Sequence, residues 1–164
     1  MTMDGTEESG KAATKKAEAT GEHGTAAGDS LVEEGFEEIS VDACMRLLRE
    51  GAVGLLALSG SDAPDVRPVN FALHRQHIVM RTGRGRIFDG ARQEEAASFV
   101  ISESDRLEHS GWSVVVTGRL SICDPSDAAI RTRVRPWAKA DKGEWVLLSA
   151  DRITGRRISR RAES

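Results

Sequence analysis

The residues best suited to chemistry sit together at Arg81-Thr82-Gly83-Arg84-Gly85-Arg86. Three guanidinium groups and a hydroxyl, spaced by two glycines, suit an anion. Guanidinium forks match phosphate oxygens two at a time, and glycines let backbone amides turn inward as a nest. Ile87-Phe88-Asp89-Gly90-Ala91-Arg92 then reads as the start of a helix whose amino end adds to the same positive field. The same residues also read as an arginine-rich loop facing water, and spacing alone leaves both readings open. A second group is Arg67-Pro68-Val69-Asn70. Proline inside a strand withholds one ladder donor, so Pro68 belongs at an edge or beside a gap where something else approaches the backbone. Asn70 offers a donor and an acceptor to a flat heterocycle, or is an ordinary amide near a turn. Trp112, Trp137 and Trp145 either flank an aromatic ligand or fill the core.

Other chemistries fail on residue type or spacing. His74, His77 and His109 have no carboxylate or cysteine at metal-ligand spacing, so no metal site is expected. There is no Gly-x-Ser-x-Gly elbow and no Gly-Lys-Ser/Thr phosphate loop. Gly83-Arg84-Gly85 lacks the third glycine of a dinucleotide fingerprint. The chain has no tyrosine, which removes a phenolic acid–base. Cys44 lies on an apolar stripe and reads as a packed core thiol, not a nucleophile. The late run Arg152, Arg156, Arg157, Arg160 and Arg161 reads as a solvated end or as a contact for phosphate or an acidic partner.

The elements that must position these residues follow from periodicity. Ser40 is a helix cap, and Val41, Cys44, Met45 and Leu48 follow at the spacing of one buried face until Gly51 stops the helix. The period then shortens. Ala52 to Leu58 is an apolar strand and 60–64 a turn. Val66 to Leu73 alternates, with Val66, Pro68, Asn70 and Ala72 on one side and Arg67, Val69, Phe71 and Leu73 on the other. A three-residue connection, His74 to Gln76, leads to a hairpin partner at His77 to Thr82. Ala96 to Ile101, Gly111 to Cys123, Trp145 to Leu148 and Arg152 to Ile158 are further strands, with a short helix ending near Arg133. Six or seven short strands leave no room for the crossover helices of a parallel sheet, so an antiparallel barrel is expected.

At 164 residues the chain allows one domain with some length to spare. The net charge of -3 hides two regions: residues 1–38 carry 10 acids and 3 bases, and residues 39–164 carry 16 acids and 20 bases. Residues 1–38 read as a disordered acidic tail, because few apolar side chains are there to offset backbone ordering. The domain is expected over 39–158, with a basic end at 159–164. Its mild positive balance does not point to nucleic acid. No apolar run approaches the ~18 residues of a membrane span, and the front end has no apolar signal core. Two cysteines without metal spacing suit a reducing, cytoplasmic setting.

Taken in order, these residues resemble the pyridoxamine 5'-phosphate oxidase-like split barrels, above all their small single-domain branch. The resemblance rests on Pro68-Val69-Asn70-Phe71, on Arg81-Thr82-Gly83-Arg84-Gly85, and on Gly111-Trp112-Ser113-Val114 with Gly118-Arg119. Trp137 and the Ile153-Thr154-Gly155-Arg156-Arg157-Ile158 ending complete it. It implies a six-stranded antiparallel split β-barrel, mainly β with a few helices, forming a homodimer with FMN in a cleft between subunits. Arg81 and Thr82 would hold the flavin phosphate, with Gly85 and Arg86 in the same loop. Pro68, Val69 and Asn70 would line the isoalloxazine, and Trp112 or Trp137 would pack near the ring from either subunit. The implied activity is a flavin-dependent oxidoreductase using a nicotinamide nucleotide and a small organic acceptor. A deazaflavin-dependent reductase and a cofactor-free binding dimer are the alternatives. The chain departs from the family pattern at Leu55, Ile87, Val100 and Ser102, and Arg84 or Arg86 stands in for a phosphate-binding lysine.

Overall fold

A computed structural model describes residues 36–60, 63–126, 128–134 and 143–158. Trp137, most of the expected tail and the basic end at 159–164 lie outside them. Helix α1 (Val41–Glu50) forms where the spacing predicts, with Ser40 Oγ accepting the Ala43 N–H at 3.4 Å. Asp42 in its first turn and Arg49 in its last suit the helix dipole. Cys44, Met45 and Leu48 form its buried stripe, whereas Val41 is exposed. Burial raises the pKa of the Cys44 thiol, which donates to the Ile39 carbonyl, so it is an inert core thiol.

The strands are β1 (Phe36–Ile39), β2 (Val53–Leu58), β3 (Asp65–His74), β4 (His77–Thr82), β5 (Ala96–Asp105), β6 (Ser110–Ile122), β7 (Glu144–Leu148) and β8 (Arg152–Ile158). Helix α2 (Arg86–Arg92) joins β4 to β5, and α3 (Ala128–Arg133) joins β6 to β7. Every pairing is antiparallel, and the order β6-β5-β2-β3-β4-β7 closes because β7 returns to β6. The result is the expected six-stranded barrel, with β8 and β1 extending one wall.

Closure depends on β6 serving two neighbours along one edge. Gly111 to Thr117 pairs with β8, and Leu120 to Ile122 pairs with β7. The chain crosses between them at Gly118 and Arg119. There Ser149 N donates to the Arg119 carbonyl at 3.0 Å and Arg119 N donates to Ser149 Oγ at 2.9 Å. A Cβ on Gly118 would lie 1.8 Å from the Ser149 carbonyl oxygen, so only glycine fits this crossing.

Leu56, Phe71, Ile78, Met80, Phe99, Val114, Val116 and Leu148 fill the interior, with the Phe71 and Phe99 rings edge-on at 4.7 Å. A smaller cluster lies outside the wall, where Ile130 and Val134 cover Ala72 and Val79. Three expectations need correcting. Phe36 to Glu38, assigned to the tail, form β1. Its Phe-Glu-Glu-Ile carries no apolar alternation, but it is held by pairing to β8, with Glu37 and Glu38 in register with Arg157 and Arg156. Strand β5 runs on to Asp105, because β6 supplies ladder partners that a polar sequence does not advertise. The β3–β4 turn has two residues, Arg75 and Gln76, not three, since His74 and His77 are themselves a rung.

Candidate functional site

Strand β3 also changes neighbour midway. Asp65 to Asn70 pair with β2, and only Phe71 to His74 pair with β4. The bond from Phe71 N to the Ala52 carbonyl fixes the phase of this ladder. Residues 65, 67, 69 and 71 turn their backbone groups to β2, and 66 and 68 turn theirs to the opposite edge. Among the described residues no strand pairs with that edge at 66–68. Pro68 therefore stands where a missing N–H costs no ladder bond, beside a gap, as its chemistry requires.

Across the gap lies the end of β4. Its last rung with β3 is Phe71 opposite Met80, so one step further Asn70 and Arg81 share the outer face. Val69 and Thr82 share the inner face by the same alternation. Val69 packs on the barrel core and Asn70 is half-buried. Arg81 lies over Trp145, its guanidinium carbon 5.6 Å from the ring centroid, and the two are a rung of the β4–β7 ladder. Its Nε is buried without a hydrogen-bond partner among the described residues. A buried donor left unpaired costs free energy, so this nitrogen has hydrogen-bonding capacity that the described residues do not use.

The remaining residues are less uniform than the sequence suggests. Thr82 is half-buried opposite Glu144, and neighbouring side chains on a strand point apart, so Thr82 and Arg81 leave β4 on opposite faces. Gly85 caps α2 in an extended conformation, with open space where a Cβ would be. Arg86 is engaged: it binds Glu95 through two bonds of 2.6 Å and the Ser59 carbonyl through a third. Arg84 pairs with Glu144 at 2.9 Å. Trp112 sits opposite Glu103 on β5 and packs against the barrel core from β6. By register Pro68, Val69, Asn70, Arg81 and Thr82 lie around one gap, and Trp112 stands three strands across from β3, on β6. Sequence reasoning missed Glu95 and Glu144: Glu144 meets a partner 60 residues away, and Glu95 meets Arg86 once the turn after α2 brings it back.

Other hollows lie elsewhere. One of about 640 Å³ surrounds Trp112, Glu103 and Arg157, and another of about 560 Å³ lies beside Ser59, Ser98, Thr117 and Arg119. Neither is lined by Pro68 or Arg81. Beside the gap, the outer wall carries an apolar row in register, Pro68, Leu55, Val100 and Val115, with Val66 two rungs away. Leu55 is 47% exposed and Val66 52%. These side chains make an exposed apolar patch on the outer wall. Among the described residues no helix is long and apolar enough to cross a membrane, and no three His, Cys, Asp or Glu side chains gather as a metal site.

The closed six-stranded antiparallel barrel, with an open β3 edge beside Arg81, is that of a split barrel. The model of the pyridoxamine 5'-phosphate oxidase family matches residues 40–160, and the chain belongs to that family. Among solved structures, the chain is similar to an FAD binding protein from Mycobacterium smegmatis, 24% identical over 75% of this chain and 98% of that one, with a TM-score of 0.58. An FAD-binding protein from Mesorhizobium loti is 21% identical over 76% and 98%, with a TM-score of 0.61. An FAD and heme binding protein from Mycobacterium smegmatis is 15% identical over 80% and 76%, at 0.57. No curated protein matches the chain.

Proposed function

We propose that the chain binds a flavin nucleotide, FMN on the sequence reading, and acts as a cytoplasmic oxidoreductase between a nicotinamide nucleotide and a small organic acceptor. The observation that carries this reading is the buried, unpartnered Arg81 Nε beside the open β3 edge at Pro68. That pairing of features fits the group: a cation with spare hydrogen-bonding capacity for a phosphate, next to exposed backbone for a flat ring. A bound flavin supplies hydride or single-electron transfer. Arg81 would neutralise the phosphate and Thr82 and the backbone at Gly85 would hold it, while Pro68, Val69 and Asn70 would orient the ring. The apolar row supports a homodimer, since a second copy covering Leu55 and Val66 would also wall the gap and exclude water. Trp112 belongs to this site only if a second copy brings it there.

Purification gives the direct test. A yellow protein, or one that takes up added flavin with a shift of its absorbance bands, supports the reading. Tighter uptake of a deazaflavin coenzyme would transfer it to that cofactor. The ion pairs of Arg84 and Arg86 favour one competing reading, a cofactor-free binding dimer, and a chain that takes up neither coenzyme would decide for it.

A further inference from the structure

Arg81 differs from Arg84 and Arg86 in what holds it. Arg84 donates from Nε to Glu144 Oε1 at 2.9 Å, and Arg86 is bound to Glu95 through two bonds of 2.6 Å. Among the described residues Arg81 makes no ion pair, and its buried Nε has no hydrogen-bond partner. What it rests on is Trp145, whose ring centroid lies 5.6 Å from the guanidinium carbon. Trp145 is itself anchored. It stands opposite Arg81 in the β4–β7 ladder, its carbonyl accepts the Cys123 N–H at 3.1 Å, and its side chain packs on the small cluster of Ala72, Val79, Ile130 and Val134. The carboxylate of Glu144 is one residue away, but neighbouring side chains on a strand point apart, and Glu144 stands opposite Thr82. The order Glu144-Trp145 on β7 thus gives Arg81 an aromatic neighbour where the reverse order would give it an acid.

The two kinds of neighbour leave an arginine in different states. A carboxylate fixes the side chain but takes up guanidinium N–H groups and cancels the charge. An aromatic face attracts the same cation through its ring quadrupole, without a countercharge and without an acceptor oxygen. We propose that Trp145 is a positioning residue, which holds the Arg81 guanidinium beside the Pro68 gap with its charge uncancelled for the phosphate of an anionic ligand. This rests on the flavin reading, in which Arg81 neutralises that phosphate. Trp145 acts through Arg81 and not on the ligand, so its effect is confined to the phosphate end.

The test is equilibrium titration of the full chain with FMN and with riboflavin, the same flavin without its phosphate, followed by flavin fluorescence. The natural chain is expected to bind FMN more tightly. Trp145→Leu keeps an apolar side chain on the outer cluster and removes the aromatic face. It is expected to cut the preference for FMN over riboflavin by about threefold or more, the size of a cation–π contact at a partly exposed site, with riboflavin affinity held. Trp145→Glu sets an acid opposite Arg81 and is expected to cut the preference by about tenfold, the size of a charge-assisted hydrogen bond withdrawn from the ligand. Trp145→Phe keeps a ring face and is expected to stay within about twofold of the natural preference. Circular dichroism checks the fold of each variant, and if Trp145→Glu does not fold, the Leu and Phe variants decide the matter. A preference unmoved in Trp145→Leu, even where both affinities fall together, overturns the inference and leaves the flavin reading intact. A loss in Trp145→Phe as large as in Trp145→Leu, or equal affinities of the natural chain for the two flavins, does the same. Uptake of neither flavin overturns both.

Discussion

Arg81 holds two roles that pull on the same side chain. Its guanidinium rests on the Trp145 face, an arrangement worth about 0.5–1 kcal/mol at a partly exposed site, and its Nε waits unpaired. Arg81→Ala should therefore weaken flavin binding by about tenfold or more, the size of one charge-assisted hydrogen bond, as measured by fluorescence titration. Circular dichroism should show the barrel retained. A second prediction concerns Glu95, whose carboxyl is held below its usual value chiefly by hydrogen bonds from Arg86. A lowered carboxylate pKa means that the unfolded chain binds protons more readily. The stabilisation is thus complete above the ordinary glutamate value of 4.5 and is lost as pH falls through the lowered one. Melting temperature should drop below that pH in the natural chain, and Glu95→Gln should flatten this part of the drop.

Among the elements, β2 and β3 show how one strand serves two masters. Their inner residues build the core, and their outer residues, Leu55, Val66 and Pro68, form an apolar surface. Leu55→Asp keeps the inner face untouched and should leave the melting temperature within a few degrees. If a second copy covers this row, the same change should turn a dimer into a monomer in sedimentation velocity. A natural chain that sediments as a monomer at micromolar concentration would count against the dimer. At this scale much was legible: the alternation of β3, the hairpin to β4 and the Ser40 cap of α1 all follow from neighbours close in sequence. Pro68 at an open edge was legible too, because proline's missing N–H is a property of the residue itself. Strand β1 was not, since Phe-Glu-Glu-Ile becomes a strand only when β8 is there to pair with it.

The whole molecule depends on one crossing, where β6 passes from β8 to β7 at Gly118. A methyl group there would lie 1.8 Å from the carbonyl oxygen of Ser149, whose N–H is bonded to the Arg119 carbonyl. Gly118→Ala should cost at least about 3 kcal/mol in urea unfolding, at the upper end for an overpacked site. The residues that lie near one another in sequence determined the strands, the helix and an arginine-rich loop, because periodicity, capping and side-chain chemistry are local. Only the closed barrel decided which of its arginines stays available. Arg84 meets an acid 60 residues away and Arg86 one 9 residues away, while Trp112 is carried to the far end of the ladder. Register and closure set the meeting of Arg84 with Glu144, and both are properties of strands paired across the chain, which no stretch of it contains alone.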